Sequence, residues 1–410
     1  MKTKFGLDPA VLTPLVAAVT GYDPEDSDER FARATWTGIA EPGDRVAGAL
    51  VAALGPAQAL IAVLERWSSA KVRAAMVDAG AEDTEEADVA AALGRWQPRL
   101  VSGPAVQALR MAAHIHAKLA IPGDPGWPDG LADLGDHGPL ALWLRGNQST
   151  FTAAGNSIAL VGARAATGYG EHVTMEASAG LVDRGIAIVS GAAYGIDGMA
   201  HRAALASSGQ TMAILAGGVD RFYPSGHDAL LGRIVESGVV VSELPCGAAP
   251  TKWRFLQRNR LIAAVSQATV VLEAGWRSGS LNTAGHAAAL GRPLGAVPGP
   301  VTSAASAGCH RLIRDFGAVC VTSPDEMAEL MPTALVLDIA EGGDEHYPGA
   351  GQLPEHTRVL DALSARSPRG VDDVARRTGL ALATVRAVFG VLEIEGRVAQ
   401  RERGWVKSPR

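Results

Sequence analysis

The feature that most constrains the fold is an alternation of short apolar runs with helix-like stretches between residues 157 and 322. Each run is brief, rich in β-branched residues and closed by glycine, proline or a polar residue, which is typical of buried parallel strands. The intervening stretches 195–209, 254–266 and 280–291 have helical patterning. Strand–helix alternation at this spacing predicts one α/β domain built on a doubly wound, mostly parallel sheet. The seven predicted strands are 157–164, 186–191, 211–218, 239–243, 268–274, 293–299 and 318–322.

The segments on either side of the sheet domain, residues 119–331, have different patterns. Residues 1–118 are rich in Ala and Leu at helical spacing, and Leu54-Gly55-Pro56 lies between two apolar runs, so paired short helices are expected. This helical domain is either a SAM-like or helix-hairpin-helix DNA module or a small packing domain. Residues 332–354 mix acidic residues, glycine and proline without a period, which indicates a linker. Residues 355–410 show helical runs followed by a two-stranded tail, the outline of a winged helix.

The formal net charge of −6 argues at first against a nucleic-acid partner. The charge is unevenly distributed, however. Residues 355–410 are net basic, and residues 251–260 hold four cations and no carboxylate. An acidic protein with a concentrated basic patch can bind a phosphate backbone locally, so a polyanionic partner is not excluded.

Cysteine usage and the first residues of the chain bear on its location. The three cysteines are widely spaced and form no CxxC pair, which predicts neither a disulfide framework nor a structural zinc site and fits a reducing compartment. The apolar run near the N-terminus is too short and interrupted for a membrane span, and no cleavage site is evident. A mature cytoplasmic protein that does not associate with a membrane is expected.

Small residues gather where the predicted strands end. In open α/β sheets the carboxyl ends of the strands meet the N-termini of helices, and glycine there lets a phosphate approach the backbone N–H groups. Turn chemistry alone can explain any single loop of this kind, whereas four loops at one sheet edge favour a ligand site. The loops are Gly162-Ala163-Arg164, Ser190-Gly191 through Asp197, Ala216-Gly217-Gly218, and Glu273 through Ser278-Gly279-Ser280.

A basic and aromatic segment follows the fourth predicted strand. Cations bind the backbone of a single strand and aromatic rings stack on its bases, so this mixture is typical of single-strand binders. The alternative is that Phe255 and Leu256 are core residues while the cations form a solvated helix face. The segment contains Lys252, Trp253, Arg254, Phe255, Arg258, Asn259 and Arg260.

Several catalytic and cofactor motifs are missing from the sequence. There is no GxxxxGK[ST] motif, and the first strand is followed by GARAATGYG instead of GxGxxG, so neither a P-loop ATPase nor a dinucleotide cofactor is expected. No HExxH or paired-cysteine set indicates a metal. A nucleophile–base pair of Ser190 and His201 is not favoured, because no GxSxG turn surrounds the serine.

The order of the motifs resembles the DNA-processing protein A (DprA/Smf) family over roughly residues 120–330. The family's blocks are matched by Val161–Arg164, Ser190–Asp197 with Ala200-His201, Gly218-Val219-Asp220 with Tyr223-Pro224, Ser242–Pro245, Phe255 with Arg258-Asn259-Arg260, Glu273-Ala274 with Ser278–Leu281 and Thr283-Ala284, and Ala296–Gly299. The resemblance implies an extended Rossmann-like domain that binds single-stranded DNA without a nucleotide cofactor. It also implies a homodimer that loads the recombinase RecA onto incoming strands during natural transformation and recombination.

Carried over to matching positions, the resemblance assigns roles to individual residues. Arg164 is expected to clamp a phosphate beside the backbone of Gly162 and Ala163, with Lys252 as a second phosphate contact and Phe255 stacked on a base. Arg258 and Arg260 are expected either to line the pocket or to hold its loops by internal hydrogen bonds, with at least one in the pocket. The remaining members of the predicted site are Ser190, Gly191, Asn259, Ser278 and Gly279.

Some positions depart from the family pattern, and two other functions stay open. Leu256 stands where proline is usual, His310 where asparagine is expected, and Arg277 where lysine is common. One alternative function is a Rossmann-like nucleotide or phosphoribosyl hydrolase with Glu273 as general acid/base. The other is a regulatory DNA-binding protein that acts through residues 355–410.

Overall fold

Nine strands form one central sheet in the computed structural model, which describes residues 9–20, 27–332 and 354–408. The strands are β1 (Lys118–Ala120), β2 (Leu142–Gly146), β3 (Ser157–Gly162), β4 (Ala187–Ser190), β5 (Thr211–Leu215), β6 (Val239–Ser242), β7 (Ala268–Glu273), β8 (Leu294–Ala296) and β9 (Val319–Cys320). Their order is β1-β2-β6-β5-β4-β3-β7-β8-β9. All pairings from β6 across to β9 are parallel, whereas β1–β2 and β2–β6 are antiparallel.

The strand order confirms the predicted doubly wound fold. From β3 the chain winds outward through β4, β5 and β6, then crosses back to β7 beside β3 and continues through β8 to β9. The direction of winding therefore reverses between β3 and β7, and ligands of such sheets bind beyond the carboxyl ends of the strands at this switch point. All seven predicted strands are present, and β1 and β2 extend the sheet beyond β6.

The α-helices among the described residues before β1 are α1 (Pro9–Thr20), α2 (Ser27–Ile39), α3 (Arg45–Leu54), α4 (Pro56–Leu64), α5 (Ser69–Asp78), α6 (Glu86–Trp96) and α7 (Ser102–His114). Trp36 and Trp96 meet edge to face, with ring centroids 5.2 Å apart, in the core of this helical region. Gly55 has a positive φ of 74° and Pro56 begins α4, so the predicted pair of short helices is confirmed. Within the described residues no single helix is long and apolar enough to cross a bilayer, although α3 and α4, bent by 112°, meet that length and composition test together.

Helices cover both faces of the sheet. They are α8 (Gln148–Thr152), α9 (Gly168–Asp183), α10 (Ile196–Ala206), α11 (Asp228–Ser237), α12 (Lys252–Val265), α13 (Ser280–Ala289), α14 (Ala307–Asp315) and α15 (Pro324–Glu329). In β3, Ala159 and Val161 pack on the core under α12 and α13, while Ile158 and Leu160 pack on the core under α9 and α10. This alternation is the period-two pattern of a strand buried on both faces.

The C-terminal segment is a winged helix, as predicted. It contains α16 (Pro354–Ala362), α17 (Val371–Thr378), α18 (Leu382–Ile394), β10 (Val398–Arg401) and β11 (Gly404–Lys407). Trp405 of the hairpin stacks on Phe389 of α18 at 4.5 Å between ring centroids. The predicted linker lies outside the described residues except at its two ends. The winged helix contacts α12 directly, because the carboxylate of Asp361 accepts a hydrogen bond of 2.9 Å from the backbone N–H of Lys252.

Candidate nucleic-acid interface

The loops that follow β3, β4 and β7 are bonded to one another at the switch point. The N–H of Ala163 donates to the carbonyl of Glu273 at 2.7 Å, and the N–H of Ile196 donates to the carbonyl of Ala163 at 3.1 Å. A Cβ on Gly162 would overlap the side chain of Ile196 and the carbonyl of Glu273. Gly162 is therefore required by packing between the loops, which these hydrogen bonds join to one another.

Arg258 lies beneath this rim and joins two strand ends. Its Nη1 donates to the carbonyl of Gly191 at 2.7 Å and also to that of Ile214, while its Nε donates to Asn259 at 3.1 Å. The carboxylate of Asp197 accepts from the N–H of Gly191 at 3.1 Å and attracts the guanidinium. Burial lowers the pKa of Arg258 to about 10, which leaves it charged at neutral pH. A fixed positive charge is thus held just under the surface.

Phe255 lies at the centre of a cationic and aromatic cluster above Arg258. The guanidinium of Arg164 is 5.3 Å from the centroid of the Phe255 ring, and that of Arg258 is 5.9 Å from it. Tyr223, from the loop after β5, approaches the same ring at 5.5 Å between centroids and is 50% exposed. The Arg164 side chain is exposed and Phe255 is half-buried. The cluster presents aromatic faces beside an exposed cation, and its members come from α12 and from the loops after β3 and β5 at one sheet edge.

Lys252 is the first residue of α12, one helical turn before Phe255. Residues three apart on a helix are neighbours on its surface, so the exposed Lys252 lies on the same side as the cluster. The hydroxyl of Thr251 caps the helix by accepting from the N–H of Arg254 at 3.2 Å. Of the two predicted phosphate contacts, Arg164 approaches the Phe255 ring, and Lys252 lies one turn before Phe255 on α12.

Two other cations of the segment point away from the rim. Arg260 donates to the carboxylate of Glu243 at 2.8 Å and to the carbonyl of His137, and it is buried. Arg254 is paired with Glu41 at 2.7 Å. The structure brings Arg258 to the underside of the cluster but does not bring Arg260 to it, because the two residues lie on different sides of α12.

The remaining predicted residues line or support the rim. The hydroxyl of Ser190 is buried and donates to the carbonyl of Leu160 at 2.6 Å, so it is turned into the sheet. The amide of Asn259 donates to Asn282 at 3.1 Å and holds the loop after β7 against α12. In that loop Ser278 is half-buried, whereas Gly279 is exposed and a Cβ there would meet nothing within 4 Å. Of these residues, Gly279 and the half-buried Ser278, both in the loop after β7, are the ones accessible to a ligand.

The side chains that a hydrolase would use, His201 and Glu273, have other hydrogen-bond partners. The Nδ1 of His201 contacts the hydroxyl of Thr211 at 2.7 Å, and burial lowers the pKa of His201 to about 3, so it does not pair with Ser190. The carboxylate of Glu273 accepts from both the N–H and the hydroxyl of Thr167, the N-cap residue of α9, at 2.9 and 2.6 Å. Among the described residues no group of three His, Cys, Asp or Glu side chains is placed to hold a metal ion.

Sequence reasoning missed three residues near the site. Tyr223 was recognised only as part of a motif, although an aromatic residue after a parallel strand is a signal for a rim position. Asp197, which orients the β4 loop, was read as part of a motif in the same way. Glu41 is the partner of Arg254, and no local pattern connects residues 213 positions apart.

The sheet order, the glycine-rich switch point and the winged helix together define an extended Rossmann-like protein with an appended winged helix. A family model described as DNA recombination-mediator protein A matches residues 118–332, and one described as the DprA winged helix domain matches residues 347–402. The first match spans more than half of the chain. The chain therefore belongs to the DNA recombination-mediator protein A (DprA) family.

Individual proteins agree with this assignment. A DNA processing protein DprA of Mycobacterium tuberculosis is 48% identical over 302 residues, which cover 70% of this chain and 76% of that protein. Protein Smf of Escherichia coli is 35% identical over 274 residues, with coverages of 66% and 72%. The solved structure of DprA from Streptococcus pneumoniae matches with a TM-score of 0.57 at 27% identity and covers 74% of this chain and 98% of that one.

Proposed function

We propose that this chain binds single-stranded DNA along the carboxyl rim of its sheet without preference for base sequence. The observation that carries the proposal is the cluster in which Arg164, Arg258 and Tyr223 surround the ring of Phe255. Cations neutralise phosphates and aromatic faces stack on any base, so such a surface binds an unpaired strand without reading hydrogen-bond patterns. A duplex hides the faces of its bases and gains nothing from the rings.

The residues of the rim divide into contacts and supports in this proposal. Arg164 and Lys252 neutralise phosphates, Phe255 stacks on a base, and Gly279 lets the backbone approach the β7 loop. Arg258 contributes its fixed charge from below, since it is buried and its Nη1 already donates to the carbonyls of Gly191 and Ile214. The supports, which hold the loops in register without touching DNA, are the half-buried Gly162 and Ala163 and the buried Ser190, Gly191, Asn259 and Arg260.

The biological role we propose is delivery of the strand to RecA during DNA uptake and recombination, by a homodimer in the cytoplasm. Membership of the recombination-mediator family supports this role. A mediator must hold the strand while leaving some bases accessible to the recombinase. An open rim on which few bases stack suits that requirement better than an enclosed channel does.

The binding site is tested by fluorescence anisotropy with labelled oligothymidylate and with a duplex of equal length, over a salt series. We expect the single strand to bind more tightly, and Phe255→Ala to weaken it by about 1–3 kcal/mol. Arg164→Ala should weaken binding and lower the salt slope by about one, because one fewer phosphate is neutralised. Arg233→Ala is the matched control. It removes an exposed arginine from α11, the helix that runs from the carboxyl rim toward the amino ends of the strands. Equal effects of Arg164→Ala and Arg233→Ala would refute the site.

The RecA role is tested separately from strand binding. The rate at which RecA begins ATP hydrolysis on strands coated with single-strand-binding protein is measured with and without this chain. We expect the chain to shorten the lag, and the Arg164→Ala variant to do so only at higher concentration. An unchanged lag with a chain that binds the strand normally would leave the binding proposal standing and reject the mediator role. Light scattering during size exclusion measures whether the chain is a dimer.

A further inference from the structure

The loop between β7 and α13 presents an exposed tryptophan at its tip. The N–H of Ser278 donates to the carbonyl of Gly275 at 3.0 Å, which closes a turn with Trp276 and Arg277 at its two central positions. Trp276 is 54% exposed, and Arg277 is exposed beside it. A single exposed aromatic residue is common on protein surfaces, so the contacts of the indole decide whether it has a binding role.

Arg311, from α14, holds the indole in place. Its guanidinium is 5.0 Å from the centroid of the Trp276 ring and 5.2 Å from that of Phe316. One side of the indole therefore carries a cation, while about half of the Trp276 surface is open to solvent. A ring backed by an arginine and open on its other side has the form of a stacking platform for a base.

This platform belongs to the same rim as Phe255. Asn259 lies one turn after Phe255 on α12, and its amide contacts the carbonyl of Gly279 at 3.5 Å and the side chain of Asn282 at 3.1 Å. The β7 loop is thus attached to the face of α12 that carries Phe255. Since Trp276 is three residues before Gly279, the chain between them spans at most about 11 Å. The two aromatic platforms lie on opposite sides of the switch point.

We propose that Trp276, backed by Arg311 and flanked by Arg277, is a second base-stacking site, so that a bound strand crosses the switch point from Phe255 to Trp276. The inference rests on the proposed single-strand binding and extends it by giving the strand a path. Arg277 neutralises a phosphate near the second base. Open backbone at Gly279, where a Cβ would meet nothing, lies along this path.

The test compares oligothymidylates of about 4 and about 20 nucleotides, which bracket the range of site sizes for single-strand folds. Trp276→Ala should weaken binding of the long strand about 5- to 150-fold and leave the short strand within twofold of wild type, because the short strand is held at Phe255. Trp276→Phe, which keeps an aromatic face, should restore most of the affinity. Phe255→Ala should weaken both strands.

Trp67→Ala is the matched control. Trp67 also carries a cation on its ring, with Lys71 Nζ at 3.7 Å from the centroid, but it lies in the N-terminal helical region. If Trp276→Ala behaves like this control while Phe255→Ala weakens binding, the second site is refuted and the proposed function survives. If the wild-type chain binds neither strand, both fail. A loss for the short strand equal to that for the long one would also contradict the path.

Discussion

Glu41 joins three parts of the molecule, and its replacement by glutamine tests the energetics of that junction. Its carboxylate accepts from Arg254 of α12 at 2.7 and 3.1 Å and is paired with Arg99, whose Nε donates to the carbonyl of Arg376 in the winged helix at 2.9 Å. Burial alone would raise the pKa of Glu41, but the charges of Arg254 and Arg99 outweigh it, and the pKa lies well below its usual range.

The expected cost of Glu41→Gln follows from these contacts. The amide fills the same space but leaves Arg99 and Arg254 buried without their counter-charge, and breaking a buried pair in this way costs about 3–5 kcal/mol. Arg254 keeps the carbonyl of Ala249 at 2.8 Å, and Arg99 keeps that of Arg376. Because these bonds survive, we expect the lower end of the range, about 3 kcal/mol.

The effect of Glu41→Gln should depend on pH in a defined direction. A carboxylate whose folded pKa is depressed contributes stability above its unfolded pKa of about 4.3, and that contribution is lost as the pH falls toward the folded value. Urea unfolding followed by circular dichroism should therefore show the largest difference from wild type at neutral pH and a smaller one below about pH 4.

A matched substitution at an exposed ion pair shows whether burial causes the large cost of Glu41→Gln. Glu29 makes a surface pair with Arg33 at 2.9 Å and is 45% exposed, so Glu29→Gln should cost less than about 1 kcal/mol. If Glu41→Gln lowers the free energy of unfolding no more than Glu29→Gln does, or if its cost does not change with pH, the buried pairs of Glu41 do not stabilise the fold as described.

Three further predictions concern the rim and its supports. Gly191→Ala should destabilise the protein by about 1–3 kcal/mol in thermal unfolding, because its Cβ would overlap the bonded guanidinium of Arg258; a neutral effect would contradict the packing described. Burial holds the pKa of His201 at about 3, so below pH 6.5 only the unfolded imidazole gains a proton. The free energy of unfolding of the wild type should therefore fall by up to about 1.4 kcal/mol for each pH unit below 6.5. The His201→Gln variant should lack this pH dependence. Arg260→Ala should lower the free energy of unfolding by about 3–5 kcal/mol, because it leaves the buried Glu243 unpaired. The folded fraction should keep its affinity for single-stranded DNA. A reduced affinity would mean that Arg260 contacts the strand.

The sheet was predictable because its signal is local. Each of β3 to β9 is a short apolar run closed by a turn residue, and the alternation of strands with helices determines the winding. The strands β1 and β2 were missed: Lys118–Ala120 is only three residues long, and Leu142–Gly146 pairs antiparallel with β6, outside the repeating pattern. Nothing in the spacing of these two strands separates them from loops.

The site was predictable as a region but not residue by residue. The sequence shows four cations in one helix, and their helical positions alone do not say which of them have carboxylate partners. Arg254 and Arg260 are neutralised by Glu41 and Glu243, from separate elements, and only the tertiary fold brings these together. Trp276 is not predictable as a site residue, because a single tryptophan among glycines and serines matches no binding motif.

The central claim, that an unpaired strand lies across Phe255 at the carboxyl rim, is tested most directly by photo-crosslinking. An oligonucleotide carrying 5-iododeoxyuridine is irradiated with the full chain, and the modified peptide is identified by mass spectrometry. We predict adducts on Phe255 or Tyr223, the aromatic rings that meet at 5.5 Å. Adducts confined to the hairpin Val398–Lys407 of the winged helix, with none on the rim, would contradict the account.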